Sequence, residues 1–250
     1  MGILFIGGYM IEIKKVSKTY NSEIKAIKDL SLTIEDGEIV GFIGLNGAGK
    51  TTLIKMMTGV LKSDKGTIKI NGCEISKKPI EAKMQIGYIA DSPDMFLKLT
   101  GIEFINFIAD IYKVPLAKRK ERIKYFAEEF DLMDVLDKPM QGYSHGTRQK
   151  MMVIAALVHD PKVWILDEPL IGLDPKSALK LKNMMKKHAK EGNTVFFSTH
   201  VLEVAEKLCD KVAIIHEGKI VYYGTLEDLK KEYKKTDLEK LFLEVIGDDK

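Results

Sequence analysis

Short apolar runs separated by amphipathic segments predict alternating strands and helices along most of the chain. The expected strands lie at 11–16, 24–34, 38–43, 67–70, 86–90, 163–167, 194–198 and 211–223. The early runs and the last one alternate apolar and polar residues, as antiparallel strands with one wet face do. Three runs are short and nearly all apolar, which favours parallel strands buried on both faces: EIVGFIG, VWILDE and TVFFSTH.

Helical patterns fill the intervals between these strands. Thr100 and Glu103 form a capping-box pattern ahead of IEFINFIADIY. Further helices are expected at 116–130, from about 144 to Pro161, at 177–190 and at 201–208. The order of elements predicts a parallel α/β core at 10–90 and 161–225 that includes an antiparallel β subdomain, a helical insertion at 91–160, a helical tail at 226–250 and a dispensable extension at 1–9.

Composition excludes several classes of protein. The chain is 45% hydrophobic, which is enough for a core, and its net charge of +3 gives little reason to expect nucleic-acid binding. Cys73 and Cys209 are the two cysteines, and without a CxxC spacing they support neither a disulfide framework nor a zinc site. No apolar run reaches the length of a membrane-spanning helix, so we expect that the chain does not cross a membrane by itself.

A phosphate-binding loop is the strongest motif. The strand EIVGFIG leads into GLNGAGKTT, residues 44–52, which fits G-x-x-x-x-G-K-[ST] in its strand–loop–helix setting. Glycines let successive N–H groups point at a phosphate chain, and the following helix adds the positive end of its dipole. The predicted nucleotide-binding residues of the loop are Gly44, Asn46, Gly47, Ala48, Gly49, Lys50, Thr51 and Thr52.

Two adjacent carboxylates supply the remaining chemistry of a nucleotide-hydrolysing site. Asp167 ends the apolar strand VWILDE, where its carboxylate and the Thr51 hydroxyl are expected to ligate Mg²⁺. Glu168 follows directly and is placed to polarise an attacking water. Together with the phosphate loop, this pair predicts a P-loop NTPase.

Residues 10–225 resemble the ATP-binding-cassette (ABC) ATPases. Tyr143-Ser144-His145-Gly146-Thr147 occupies the place of the family's Leu-Ser-Gly-Gly-Gln-like signature, Gly172-Leu173-Asp174-Pro175 resembles the D-loop, and Ser198-Thr199-His200 resembles the switch-histidine motif. A kinase or GTPase would share the phosphate loop but would not explain these three motifs in this order.

The resemblance implies a role for each of these residues. Tyr20 would stack on adenine, and His200 would contact the γ-phosphate and the catalytic water. Ser144, with His145 and Gly146 beside it, would bind the γ-phosphate held by a second subunit, and Asp174 would join the two sites. Asp91 stands where the family has its Q-loop glutamine, and its carboxylate is a third candidate ligand for Mg²⁺.

His145 is the sharpest departure from the family pattern, because it replaces the first signature glycine. Its side chain would lie near the partner's phosphates, where protonation would make the closed state sensitive to pH. The alternative is a tolerated substitution that points away. Leu170 and Ile171 also replace residues that are usually small and polar.

The implied function is the ATP-binding and ATP-hydrolysing subunit of an ABC transporter at the cytoplasmic face of the cell membrane. Two copies, or one copy and a related ATPase, would sandwich ATP and Mg²⁺ head to tail and drive separate transmembrane subunits. Residues 95–97 would receive a helix of that partner or would pack the helical insertion. LTGIEFINFIADIYKVP resembles exporter ATPases, and an end near residue 250 without a regulatory domain agrees. An importer ATPase, or a soluble ABC ATPase acting on ribosomes or DNA, is the alternative.

Overall fold

A computed structural model describes residues 10–21, 23–92, 96–233 and 238–247 of the chain. Two sheets and the helices around them form its α/β architecture. The predicted extension at 1–9 lies outside the described residues, as do residues 93–95.

The first sheet is antiparallel and has the order β2-β1-β4-β5. Its strands are β1 (Ile11–Tyr20), β2 (Ile24–Ile34), β4 (Lys65–Ile70) and β5 (Cys73–Glu74). Ile11 pairs with Ile34 on one side and with Ile70 on the other. Alternation along β1 places its apolar residues against the phosphate-loop helix in one shared core.

The second sheet carries the nucleotide motifs and has the order β10-β9-β3-β8-β7-β6. Its strands are β3 (Ile39–Ile43), β6 (Ile86–Ile89), β7 (Val163–Leu166), β8 (Thr194–Thr199), β9 (Lys211–His216) and β10 (Lys219–Gly224). β3, β6, β7, β8 and β9 run parallel to one another, and β10 is antiparallel to β9. Strands β3, β7 and β8 are buried along their whole length. Because parallel strands end at one edge, Ile43, Leu166 and Thr199 deliver the three motifs to the same edge of the sheet.

The prediction of one strand over 211–223 is wrong, because this segment is a hairpin of β9 and β10. Glu217 and Gly218 occupy the turn with φ of 44° and 78°. Two consecutive positive φ values are typical of tight hairpin turns whose twist matches that of the flanking strands. Apolar residues continue on both sides of the turn, which hid the reversal from the hydrophobic pattern.

Nine α-helices lie in the described part of the chain: α1 (Lys50–Met57), α2 (Pro79–Lys83), α3 (Gly101–Ile111), α4 (Leu116–Glu129), α5 (His145–Leu157), α6 (Pro175–Lys190), α7 (Leu202–Leu208), α8 (Leu226–Tyr233) and α9 (Leu238–Ile246). The capping box at the start of α3 is confirmed, since Thr100 accepts from the Glu103 N–H and Glu103 accepts from the Thr100 N–H. Helices α3, α4 and α5 lie between β6 and β7 in the chain. Among the described helices, none is long and apolar enough to cross a membrane.

Acidification from pH 7 to pH 5 will destabilise the protein through two buried histidines. Burial lowers the pKa of His159 and of His188 to about 4, against about 6.5 in an unfolded chain. Between pH 6.5 and 4 the unfolded state therefore binds more protons, and the free energy of unfolding falls as the pH falls through that window. Urea titrations at pH 7 and pH 5 measure the loss.

A His188→Phe variant isolates one of these contributions. It keeps an aromatic ring beside Trp164, whose ring the His188 ring meets edge-on at a centroid distance of 5.7 Å. The carboxylates titrate in both proteins, so the variant should lose less stability than the unsubstituted chain between pH 7 and pH 5. Equal losses would contradict the role of His188.

Candidate functional site: a nucleotide pocket at the sheet edge

The phosphate loop is built around an uncapped helix start. Gly49 is the N-cap of α1 with φ 113° and ψ 4°, and no side chain accepts from the first turn of that helix. By contrast, Thr100, Ser144 and Asp174 cap α3, α5 and α6 with their side chains. The open N–H groups and the helix dipole of α1 form a ready site for an anion. The helix stops at Gly59, which has φ 66° just past the Thr58 C-cap.

Lys50 is held inside the loop. Its side chain is only 7% exposed, and its Nζ donates to the carbonyl oxygens of Gly44 at 2.7 Å and Leu45 at 3.3 Å. The same ammonium lies 3.5 Å from Oε1 of Glu168. This ammonium can bind an incoming phosphate if it gives up its ion pair with Glu168.

Glu168 lies between Lys50 and His200. The Nδ1 atom of His200 is 3.1 Å from Oε2 and 3.2 Å from Oε1 of Glu168. A carboxylate only accepts, so Nδ1 carries the hydrogen of this bond. Glu168 also has φ 48°, and its N–H donates to the Ser198 hydroxyl at 2.9 Å. A left-handed backbone at a non-glycine residue is strained and is held here by the neighbouring strand β8.

Asp167 has the surroundings of a magnesium ligand. Its Oδ1 accepts from the Ser198 hydroxyl at 2.5 Å, whereas Oδ2 is buried without a hydrogen-bond partner among the described residues. Burial raises the pKa of Asp167, and the hydrogen bond from Ser198 opposes that rise. An orphaned buried carboxylate oxygen beside a hydroxyl fits an oxygen-preferring dication.

The magnesium set is sparse in protein ligands. Within the described ranges, no group of three or more His, Cys, Asp or Glu side chains is arranged to hold a metal ion. Mg²⁺ is commonly bound through one or two carboxylates, with waters and substrate phosphates completing the octahedron. The donors Thr51, Asp91 and Asp167 therefore fit Mg²⁺ that arrives with a nucleotide better than a resident cation.

The structure places eight of the seventeen predicted site residues in the lining of one pocket. It is lined by Ala26, Leu45, Asn46, Gly47, Gly49, Lys50, Thr51, Thr52, Asp91 and Glu168. Asp91 is near enough to Asp167 for its charge to help raise the pKa of that carboxyl. Gly44 and Ala48 stabilise the loop without lining the pocket. The Gly44 carbonyl accepts from Nζ of Lys50, and the Ala48 carbonyl accepts from the Gly218 N–H at 3.0 Å.

Two functional contributors were missed by sequence reasoning. Ala26, on β2, lines the pocket, and the Ser198 hydroxyl donates to the Asp167 carboxylate and accepts from the Glu168 backbone N–H. Ser198 belongs to the STH run, so its position at the end of a buried strand was a usable signal. The side chain of Ala26 carries no polar atom, so the sequence gave no signal for this residue.

Tyr20 lies at the end of β1, opposite Ile24 across the strand pair. Its side chain is exposed and is not part of the pocket lining. An exposed aromatic ring at the rim of the first sheet is free to meet a planar ligand. Ile24, its exposed neighbour, widens this apolar rim.

The signature-like residues form a separate cluster around the start of α5. Ser144 accepts from the Thr147 N–H at 3.1 Å, and Asp174 accepts from the Ser177 N–H at 2.9 Å. Lys150 joins the two helix starts, with its Nζ 3.3 Å from Oδ2 of Asp174. Hydrogen bonds from Ser177 hold the pKa of Asp174 well below its usual range. Neither Ser144, His145, Gly146 nor Asp174 lines the phosphate-loop pocket.

The remaining three histidines lie outside the phosphate-loop pocket. His159 stacks on Tyr112 with ring centroids 3.6 Å apart and contacts the Ile86 carbonyl, and His188 packs on Trp164. His216 ends β9. None of the three lines the phosphate-loop pocket.

Comparisons with known proteins agree with this geometry. The family model described as "ABC transporter" matches residues 27–171, which is more than half of the chain. The ABC transporter ATP-binding protein NatA of Bacillus subtilis is 34% identical over 238 residues, covering 94% of this chain and 97% of NatA.

Solved structures give the same result. The structure of an ATP-binding subunit of an ABC transporter superposes with a TM-score of 0.90 at 32% identity, covering 94% of this chain and 99% of that one. CbiO1 from Clostridium perfringens, described as part of the ABC transporter complex cbiONQ, gives a TM-score of 0.76 at 26% identity, with 94% of each chain covered.

The chain belongs to the ABC transporter family and is an ATP-binding subunit with the fold of an ABC ATPase. The resemblance read from the motifs is confirmed, as is the expectation of an α/β fold with an antiparallel N-terminal sheet. Binding and hydrolysis of ATP are properties of this family.

Proposed function

We propose that this chain powers export by a separate membrane-spanning subunit through ATP-driven dimerisation. The observation that carries the hydrolytic part of the proposal is the position of Glu168, which contacts both Lys50 and His200 at the edge of the phosphate-loop pocket. Family membership supports a transporter, and the resemblance of residues 99–115 to exporter ATPases supports the direction. An importer ATPase is the alternative.

The site residues divide the work of hydrolysis between them. Lys50 and the open N–H groups of α1 bind the outer phosphates. Thr51, Asp91 and Asp167 hold Mg²⁺, which supplies charge neutralisation at the phosphates when bound. Glu168 accepts a proton from the attacking water. His200, hydrogen-bonded to Glu168 through Nδ1, keeps that carboxylate aligned beside the γ-phosphate.

Two copies complete the site head to tail. Ser144, Gly146 and Asp174 lie apart from the phosphate-loop pocket of their own chain, which suits residues that serve the pocket of a partner. A two-fold arrangement lets each chain give its phosphate loop to one site and its α5 start to the other. A related ATPase could take the place of the second copy, with Tyr20 stacking on adenine in either case.

The protein works at the cytoplasmic face of the membrane, where it docks on its membrane subunit without contacting nucleic acid. Phe96 is 46% exposed, and its ring packs against Phe104 and Phe107 of α3 at centroid distances of 5.5 Å. The segment therefore both packs the helical insertion and presents an apolar surface. Met95, named with it, lies outside the described residues.

Pull-down of tagged Glu168→Gln protein from gently solubilised source membranes tests the partner. In the presence of ATP we expect a polytopic membrane protein to co-purify, because slowed hydrolysis holds the ATP-bound dimer on its partner. The same preparation with ADP, and the Glu203→Gln protein with ATP, are the controls. Mass spectrometry identifies what is captured.

Capture of ribosomal proteins or nucleic acid with no membrane protein would overturn the transporter proposal in favour of an ABC ATPase that acts on ribosomes or DNA. A captured complex reconstituted in vesicles would then give the direction of transport. Cargo moving away from the side that carries this chain supports export, and cargo moving toward it supports import.

A further inference from the structure

The side chain of His145 lies over the turn at Gly172. A Cβ built on Gly172 would overlap Cδ2 of the His145 ring and would lie 2.9 Å from its Nε2. Gly172 has φ 78°, so this turn also requires the backbone freedom of glycine. The imidazole ring thus fills the space where a side chain at position 172 would lie.

Further contacts join the same two segments. A Cβ on Gly146 would lie 2.9 Å from the Gly172 carbonyl oxygen, so the backbones are close there. Lys150 pairs with Asp174 at 3.3 Å, and the buried Gln149 directs Nε2 at the Pro169 carbonyl at 3.5 Å. Positions 145, 146, 149 and 150 share one face of α5. Residues on that face therefore contact segment 169–174 at Pro169, at Gly172 and at Asp174.

Segment 169–174 connects Glu168 to α6. It begins directly after the proposed general base and ends at Asp174, the N-cap of α6. Glu168 itself has a strained backbone with φ 48°. Gly172 is only four peptide units from Glu168, whose strained conformation is held by its neighbours. Greater mobility at Gly172 would therefore displace Glu168.

We propose that His145 is a positioning residue: its ring packs on Gly172 and makes the start of α5 and segment 169–174 move as one unit, which keeps Glu168 aligned. This inference rests on the proposed function, since it takes Glu168 as the base. It also gives the non-consensus side chain a role within its own chain. The ring acts through packing, so its charge is not required.

His145→Ala and His145→Phe test the ring. Alanine removes it without lowering helix propensity, and phenylalanine restores an aromatic ring without ring nitrogens. For His145→Ala we expect kcat for ATP hydrolysis to fall by about 3- to 30-fold, less than the roughly 10²-fold that a 1 Å misplacement causes. The affinity of the nucleotide-binding pocket for ATP should stay unchanged. His145→Phe should restore kcat to near the wild-type value.

A double-mutant cycle with Gly172→Ala tests the contact itself. In the wild-type background the added Cβ meets both the His145 ring and the backbone strain at φ 78°, whereas in the His145→Ala background only the strain remains. Gly172→Ala should therefore reduce kcat by a smaller factor when His145 is absent. Thermal melts of all variants report whether they fold.

Additive effects in the cycle, wild-type kcat in His145→Ala, or failure of His145→Phe to restore kcat would each overturn the inference. Glu168→Gln, measured alongside, separates this failure from that of the proposed function. If Glu168→Gln is inactive while His145→Ala is fully active, only the positioning role is wrong. Near-normal turnover of Glu168→Gln would overturn both.

Discussion

Replacing Glu168 by glutamine will slow ATP hydrolysis by about 10²–10⁴-fold, the contribution usual for a positioned general base. Glutamine keeps the size of the side chain and its bond from His200, but it cannot take a proton from water. The change also removes the negative charge 3.5 Å from the Lys50 ammonium. Lys50 is then freer to meet a phosphate, so ATP binding should be retained or strengthened.

Single-turnover experiments measure the rate of ATP hydrolysis, and size-exclusion chromatography with ATP measures the oligomeric state. The variant should accumulate as an ATP-dependent dimer, whereas the wild-type protein should return to monomer as ATP is consumed. Glu203→Gln is the matched control, because it makes the same change of side chain outside the pocket lining. Glu203 lies on α7, three residues beyond His200. Near-normal turnover in Glu168→Gln would place the catalytic base elsewhere.

The contacts of Glu168 also indicate how the nucleotide-free site is kept in order. Lys50 and His200 both contact one carboxylate, and Ser198 bonds to the backbone of Glu168 and to the side chain of Asp167. The ends of β3, β7 and β8 are thereby connected before any ligand binds. A site whose groups are already oriented spends less of the binding free energy of ATP on ordering them.

Local chemistry made much of this fold predictable. The capping box at Thr100 and the buried strands β3, β7 and β8 follow from backbone requirements that act within a few residues. The phosphate loop follows from glycine spacing next to such a strand. These features could be predicted because local propensity, helix capping and burial favour the same structure at each of these positions.

The features that sequence reasoning missed depend on contacts between distant segments. The hairpin at Glu217 was hidden by continuous apolar alternation, and the short strand β5 exists only through its pairing with β4. Ala26 reaches the pocket because β2 passes over the phosphate loop. The position of the His145 ring on Gly172 could not be read from either motif, because 27 residues and a buried strand separate them.

Replacing Gly49 by alanine will disrupt the phosphate loop far more than replacing Gly47 by alanine. Both glycines have positive φ, 113° and 83°, so both substitutions strain the backbone. A Cβ on Gly49 would also lie 2.7 Å from the Ala26 carbonyl oxygen and 2.8 Å from Cδ1 of Ile27, whereas a Cβ on Gly47 meets nothing within 4 Å. Strain costs about 1–3 kcal/mol, and overpacking adds about 1–3 kcal/mol only at Gly49.

Urea unfolding of the nucleotide-free proteins is the first measurement, because no ligand then lies near a Cβ at position 47. Gly49→Ala should lose about 2–6 kcal/mol of unfolding free energy, or escape part of that loss by moving the loop away from β2. Either response displaces the N–H groups that bind phosphate, so its ATP affinity measured by calorimetry should fall by about 10²-fold or more, at about 1.4 kcal/mol per tenfold. Equal losses in the two variants would show that backbone strain alone, and not the close approach of β2, requires glycine in this loop.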